Sequence, residues 1–324
     1  MCTAVTFKSG DFYFGRTLDN DFSYGEEIAF TPRNFPLPFR NGRVIKRHYA
    51  IIGTAHTENG LPLYYDAVNE KGLCAAGLNF VGNAVYNGII EGADNIAHFE
   101  IILWLLSQCD CVDGARKLLK KMNITNEAFS KELPPAQLHW ILADERRCLV
   151  IEAVKDGLKI HENPYGVLAN NPPFEMQAFN LSNYMGLSAK PPVNSFAAGL
   201  NFQPHSKGMG ALGLPGDLSS PSRFVRAAFT KNNSVCGNSE EERVGQFFHI
   251  LSSVWQTRGC CAVGESGYEI TVYASCCNAS KGVYYYTTYG NRQITAVDMR
   301  REDADGEEVV FYPFITEQNI KRQN

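Results

Sequence analysis

Met1-Cys2-Thr3-Ala4-Val5-Thr6-Phe7, continued through Gly10-Asp11-Phe12-Tyr13-Phe14-Gly15-Arg16-Thr17-Leu18-Asp19, opens the chain. A start methionine followed by a small residue is normally trimmed, which leaves Cys2 first, with its thiol and a free α-amine on one residue. That is a nucleophile with its own base. The thiolate is the attacking form, and an α-amine, with a reference pKa of about 7.7–8.0, accepts a proton near neutral pH. Thr3 to Phe7 and Phe12 to Gly15 are β-prone runs joined by Lys8-Ser9-Gly10-Asp11, the pattern of a hairpin. Strand alternation sends Arg16 and Leu18 one way and Thr17 and Asp19 the other, unless a bulge at Gly15 re-aims them. An arginine beside the thiol favours the thiolate, and an aspartate beside the amine holds it by hydrogen bonding. The plainer alternative is an incidental Cys2 followed by an ordinary surface Arg-Asp pair of little energetic weight.

Working outward, 324 residues at 44% hydrophobic content suffice for a large core, and no charge run or Pro/Ser-rich linker divides them, which predicts one domain over 1–324. The net charge of -4 comes without a Lys/Arg stripe, so nucleic acid is not an expected partner. No basic segment followed by an apolar run stands at the N-terminus, and a working Cys2 leaves no room for a signal peptide; the expected location is the cytoplasm. The ten cysteines are then expected as reduced thiols packed like small hydrophobes. Cys109-x-Cys111 and the pairs 260/261 and 276/277 lack the spacing and nearby histidines of zinc sites, so no metal is expected.

Along the chain, strands are predicted at Ile28 to Thr31, Tyr49 to Thr54, Leu138 to Ala143, Cys148 to Val154 and Leu158 to His161, and later at Tyr268 to Ala274, Gly282 to Thr288, Gln293 to Asp298 and Glu308 to Tyr312. Asn95 to Gln108 is apolar almost all round and predicts a buried helix, with His98 and Glu100 arguing against a membrane span. Val112 to Met122 is an amphipathic helix pattern, and Ser239-x-x-Glu242 is a capping box for a helix running to Trp255. Helices layered on strands give an α/β arrangement.

Two asparagines stand at strand ends. Asn79 closes Gly72 to Phe80, where it is either a neutral donor facing a cleft or a turn former before Gly82-Asn83. Asn170 closes Gly166-Val167-Leu168-Ala169, ahead of Pro172-Pro173. Neutral amides so placed stabilise an oxyanion without adding charge. Gly208-Met209-Gly210-Ala211-Leu212-Gly213 spells a dinucleotide-binding fingerprint but has a loop before it and Pro215 after it, so it reads as a loop. That loop leads to Ser220 as a helix cap with Pro221 at N1, which puts Arg223 in the first turn.

Taken together, Met1-Cys2-Thr3, Phe14-Gly15-Arg16-x-x-Asp19, Asn69-Glu70-Lys71-Gly72-Leu73, Gly77-Leu78-Asn79-Phe80, Gly166-Val167-Leu168-x-Asn170, Gly213-Leu214-Pro215-Gly216-Asp217 and Ser222-Arg223-Phe224 resemble the choloylglycine hydrolases over the whole chain. The resemblance implies an α+β fold, the four-layer αββα sandwich of the N-terminal nucleophile hydrolases. It implies hydrolysis of the amide of a glycine- or taurine-conjugated bile salt, a small-molecule substrate, through an acyl-enzyme on Cys2. Arg16 and Asp19 would be the neighbours of Cys2, Asn79 and Asn170 the oxyanion hole, and Arg223 a support for the thiolate. Leu18, Phe129 and Leu133 would wall the steroid, while Glu58 stands where some relatives carry an aromatic ring. Asn at the Asn79 position resembles the bile-salt branch rather than the penicillin branch, which tends to have Tyr. A penicillin V acylase and a non-catalytic bile-salt binder are the alternatives. No cofactor and no membrane partner are implied, and the family's usual assembly is a homotetramer.

Overall fold

The computed structural model describes Met1–Asn324. Its opening hairpin is longer than the apolar runs alone suggest: β1 (Cys2–Ser9) and β2 (Asp11–Asn20) turn on Gly10 alone, which takes φ +67°. Such a φ is free of steric cost only for glycine. There follow β3 (Glu27–Thr31), β4 (Ile51–Glu58), β5 (Leu61–Asn69), β6 (Cys74–Asn79), β7 (Leu138–Ala143), β8 (Cys148–Val154), β9 (Gly157–Glu162), β10 (Val167–Leu168), β11 (Ile270–Asn278), β12 (Val283–Thr288), β13 (Thr295–Asp298) and β14 (Val310–Pro313). They form two antiparallel sheets, one of six strands in the order β10-β1-β2-β11-β12-β13 and one of eight in the order β9-β8-β7-β6-β5-β4-β3-β14.

The eight-stranded sheet is apolar on both faces, and strict alternation sorts its side chains. Ile28, Phe30, Ile52, Val68, Ala76, Leu78, Ile141 and Val150 join the core shared with the six-stranded sheet. Their neighbours Ala29, Ile51, Ala67, Ala75, Trp140, Leu142, Leu149 and Ile151 join a second core with α1 (Ile101–Gln108) and α2 (Val112–Leu119). A strand buried on both sides is covered on both sides. On the far side of the six-stranded sheet lie α4 (Ser220–Asn233) and α5 (Glu240–Ser252), and α3 (Phe174–Leu181) packs beside α4. The order is helices, sheet, sheet, helices: an αββα sandwich.

Three expectations need correction. Asn95 to Gln108 is not one helix: Asp94–Ala97 is a strand paired in parallel with Met122–Thr125, His98–Glu100 is a 3-10 turn, and only Ile101–Gln108 is α-helical. Met122 therefore leaves the helix that begins at Val112, which ends at Leu119. Ser220 is the first helical residue rather than the cap; Ser219 takes the extended cap geometry, and the Ser220 hydroxyl is spent on accepting the Asn170 main-chain N–H at 2.7 Å. The capping box Ser239/Glu242 is present as expected. The Gly208 to Gly213 segment is a short 3-10 turn within a loop.

Gly15 meets a constraint of space rather than of φ. A Cβ placed there would lie 2.0 Å from the Ser275 carbonyl oxygen on β11, so only glycine lets β2 carry Arg16 this close to the neighbouring strand.

Candidate active site

The hairpin register delivers the site. Cys2 pairs with Leu18 and Ala4 with Arg16, and directly opposed residues of an antiparallel pair share a face, so the Cys2, Leu18 and Arg16 side chains project together. Thr3, Thr17 and Asp19 take the other face. There the Asp19 carboxylate accepts the Thr271 hydroxyl at 2.7 Å and the Thr17 hydroxyl at 3.1 Å, and the Thr17 oxygen accepts the Thr3 N–H at 3.2 Å. Asp19 is thus fixed beside the first residues of the chain.

Met1 continues the β1/β2 ladder by one residue. Asp19 N–H donates to the Met1 carbonyl at 2.8 Å, and the Met1 ammonium donates to the Asp19 carbonyl at 2.6 Å and to the Glu269 carboxylate. The Cys2 nitrogen donates to Asn170 Oδ1 at 2.8 Å.

Arg223 locks this corner from behind. Its Nη1 donates to the Cys2 carbonyl and to Thr3 Oγ1, each at 2.5 Å, and its Nη2 donates to Asn170 Oδ1 at 2.6 Å. The Asn170 Nδ2 donates to the Asn79 carbonyl at 2.8 Å. A carboxamide nitrogen carries two hydrogens, so one of the two stays free for another acceptor.

Both arginines are fully buried, at 1% and 0% exposure for Arg16 and Arg223. The formal bonds of Arg16 go to carbonyls, those of Thr17, Tyr65 and Gly77. Burial opposes its charge, but the surrounding Cys2, Tyr273, Asp66 and Asp19 outweigh burial and hold its pKa above the usual arginine value. For Arg223 burial wins, and its pKa falls despite Asp19, Cys2 and Glu269. Burial likewise pushes the Asp19 carboxyl up, against the pull of Arg223 and the N-terminal ammonium. Two buried guanidinium groups therefore stand beside Cys2, Arg16 on the same face of the hairpin and Arg223 bonded to the Cys2 carbonyl.

Cys2, Arg16, Leu18, Asp19 and Asn79 line a cleft of about 410 Å³, within the ordinary range for small-molecule sites. Phe129 and Leu133 form its opposite wall. The Phe129 ring packs edge-on against Phe99 at 5.1 Å, and the Arg40 guanidinium lies 5.4 Å from the Phe129 centroid while donating to the Phe129 carbonyl at 2.5 Å. A cation–π contact of this kind contributes about 0.5–1 kcal/mol when exposed, which helps hold the wall loop. Seven of the nine residues singled out in the sequence thus line the cleft; Asn170 and Arg223 stand behind Cys2 and are bonded to it. Glu58 is outside the cleft, and His56, within 3.6 Å of it, takes the lining position.

The sequence did not point to Tyr24, Tyr65, Phe99, Ile102 or Trp140, which also line the cleft. Nor did it point to Thr271 and Glu269, which hold the N-terminal corner. No local motif marks them, because their relevance comes from strands brought together across the fold.

An αββα sandwich whose opening strand sets Cys2 in the cleft has the architecture of the N-terminal nucleophile hydrolases. The family described as linear amide C-N hydrolases, choloylglycine hydrolase family, matches residues 2–312, and the chain belongs to it. It is 52% identical to the bile salt hydrolase/transferase of Lactiplantibacillus plantarum, over 98% of each chain. To the bile salt hydrolase/transferase of Clostridium perfringens it is 36% identical over the full length of both. The crystal structure of the C2A mutant of the conjugated bile acid hydrolase from Clostridium perfringens superposes with a TM-score of 0.92 at 35% identity, covering all of both chains. Penicillin V acylase from Agrobacterium tumefaciens shares the fold, with a TM-score of 0.78 at 18% identity over 96% of this chain and 91% of that one. No helix is long and apolar enough to cross a membrane.

Proposed function

We propose that this linear amide hydrolase cleaves the amide of glycine- or taurine-conjugated bile acids, with Cys2 as nucleophile after Met1 has been removed. The observation that carries the reading is the position of Cys2. Its side chain lines an apolar cleft while its nitrogen and carbonyl are bonded to Asn170 and Arg223. The amine takes the thiol proton, the thiolate attacks the cholyl carbonyl, and the ammonium returns the proton to the departing glycine or taurine nitrogen. Water then attacks the thioester and releases the bile acid. Arg16 and Arg223 favour the thiolate, and Asp19 holds the ammonium. Asn79 and the free N–H of Asn170 receive the oxyanion, and Leu18, Phe129 and Leu133 hold the steroid.

The test is a comparison of initial rates on glycocholate and penicillin V. Glycocholate should turn over roughly 10-fold faster or more, the scale on which apolar pocket contacts discriminate. Equal or reversed rates would replace this reading with that of a penicillin acylase. Titration with iodoacetamide covers the non-catalytic case, since an inert site alkylates no faster than an ordinary thiol.

For the oxyanion hole, Asn170→Ala should lower kcat by roughly 10² while KM changes little, because the lost bond matters mainly in the transition state. A raised KM with kcat intact would make Asn170 a substrate-binding residue instead.

The same reading treats 1–324 as one domain in a cytoplasmic homotetramer. The exposed Phe179, Met185, Val193, Phe196 and Leu212, all on the excursion between β10 and α4, support assembly, since solvated apolar groups this dense favour burial against another copy.

A further inference from the structure

Behind Asn170 lies a buried polar cluster that the chemistry above does not use. His139 on β7 is completely buried. Its Nδ1 lies 3.0 Å from Glu152 Oε1 on β8, and its Nε2 lies 2.9 Å from the carbonyl oxygen of Ala169, the residue before Asn170. Its ring stacks on Phe80 with centroids 4.4 Å apart and planes 5° from parallel.

The proton inventory follows from the partners. A main-chain carbonyl can only accept. Glu152 Oε1 also accepts the Phe174 N–H at 3.0 Å, which ties it to the start of α3. Burial raises the Glu152 carboxyl, but the His139 and His161 bonds outweigh it and bring its pKa down to about 2. Nε2 therefore carries the hydrogen that binds the Ala169 carbonyl, and Glu152 holds the ring from its other side at Nδ1.

The other titratable groups facing this pair are His161 on β9, with Nε2 at 3.6 Å from Glu152 Oε2, and Glu175 on α3, which lies 3.5 Å from His161 and is exposed. The cluster grips both ends of one short segment: His139 holds the Ala169 carbonyl, and Glu152 holds the first N–H of α3 at Phe174. Between them Asn170 is held by Ser220 at its N–H and by Gln177 at its carbonyl.

Resting on the reading of Asn170 as an oxyanion donor, we infer that the His139–Glu152 pair is the positioning device of the oxyanion hole: the His139 ring, held at Nδ1 by Glu152, fixes the Ala169 carbonyl through Nε2 and thereby aims the Asn170 carboxamide. The pair touches no substrate. A shift of about 1 Å in a catalytic group is enough to cost about 10² in rate, so a distant clamp of this kind reaches kcat without reaching the substrate.

Two measurements test it on the full-length enzyme. Ring-nitrogen NMR of the parent should show His139 with hydrogen on Nε2, the nitrogen that faces the Ala169 carbonyl; a bare Nε2 overturns the inference, and this arm needs no variant to fold. His139→Gln and Glu152→Gln should each lower kcat by about 10-fold or more, with KM and the iodoacetamide rate of Cys2 unchanged within about 2-fold. Folded variants with parental kcat overturn it, even if their melting temperatures fall. Asn170→Ala separates the two failures. Parental kcat in that variant sinks the oxyanion reading, whereas loss of kcat in Asn170→Ala alongside full kcat in His139→Gln sinks only the clamp.

Discussion

Cys2→Ser is expected to leave the sandwich intact and to lower glycocholate turnover by on the order of 10³ or more. The fold should survive because the change exchanges one small side chain for another, while the bonds that hold this corner come from the main chain of residue 2: its nitrogen to Asn170 and its carbonyl to Arg223. Turnover should not survive, for a reason of acidity. A thiol lies within about a unit of the α-amine that must deprotonate it, whereas a hydroxyl is far weaker as an acid, and the two buried arginines cannot close that gap. Circular dichroism and steady-state rates check both halves. A serine variant retaining more than a tenth of parental turnover would remove Cys2 from the role of nucleophile.

A lysine inserted between Met1 and Cys2, which the aminopeptidase cannot clear, should abolish hydrolysis altogether. While any residue precedes Cys2, its nitrogen is an amide with a lone pair delocalised into the carbonyl, so it can neither accept the thiol proton nor return one. Met1 itself shows how snugly a preceding residue fits. It continues the β1/β2 ladder against Asp19, and its ammonium is bonded to Glu269. The fold thus seats a residue ahead of Cys2 within its own ladder, and the silence of the unprocessed chain would be chemical rather than a failure to fold. The expected circular dichroism spectrum of the extended protein is that of the parent.

The hairpin that decides the fold is legible in sequence because its signal is local: two β-prone runs, a glycine turn and an alternation that assigns faces. The register then follows, and with it the shared face of Cys2, Leu18 and Arg16. Segments whose state is decided by a distant partner are less legible. Residues 94–97, Asp-Asn-Ile-Ala, run straight into the apolar stretch of α1, and only their pairing with Met122–Thr125 makes them a strand. A short apolar run has no period by which to choose. Pro172-Pro173 lie beyond the end of β10, and Pro173 is the cap of α3, because a proline ahead of the first turn is compatible with a helix. β5 went unread, and Tyr65 at its centre lines the cleft. The site residues that could be named, Cys2, Arg16, Asp19, Asn79, Asn170 and Arg223, lie in motifs that a family resemblance marks. The partners that hold them, such as Thr271, Glu269 and His139, are ordinary residues whose roles exist only once the strands are side by side.

The central claim is that a free α-amine on Cys2 makes this chain an enzyme, and the most direct test is intact mass of the N-terminus measured alongside turnover on the same preparations, parental and lysine-extended. The account predicts that active protein begins at Cys2, and that protein shown by mass to retain the extension has no hydrolysis above background. Full activity in chains shown by mass to retain residues before Cys2 would contradict it, and would place the base somewhere other than the N-terminus.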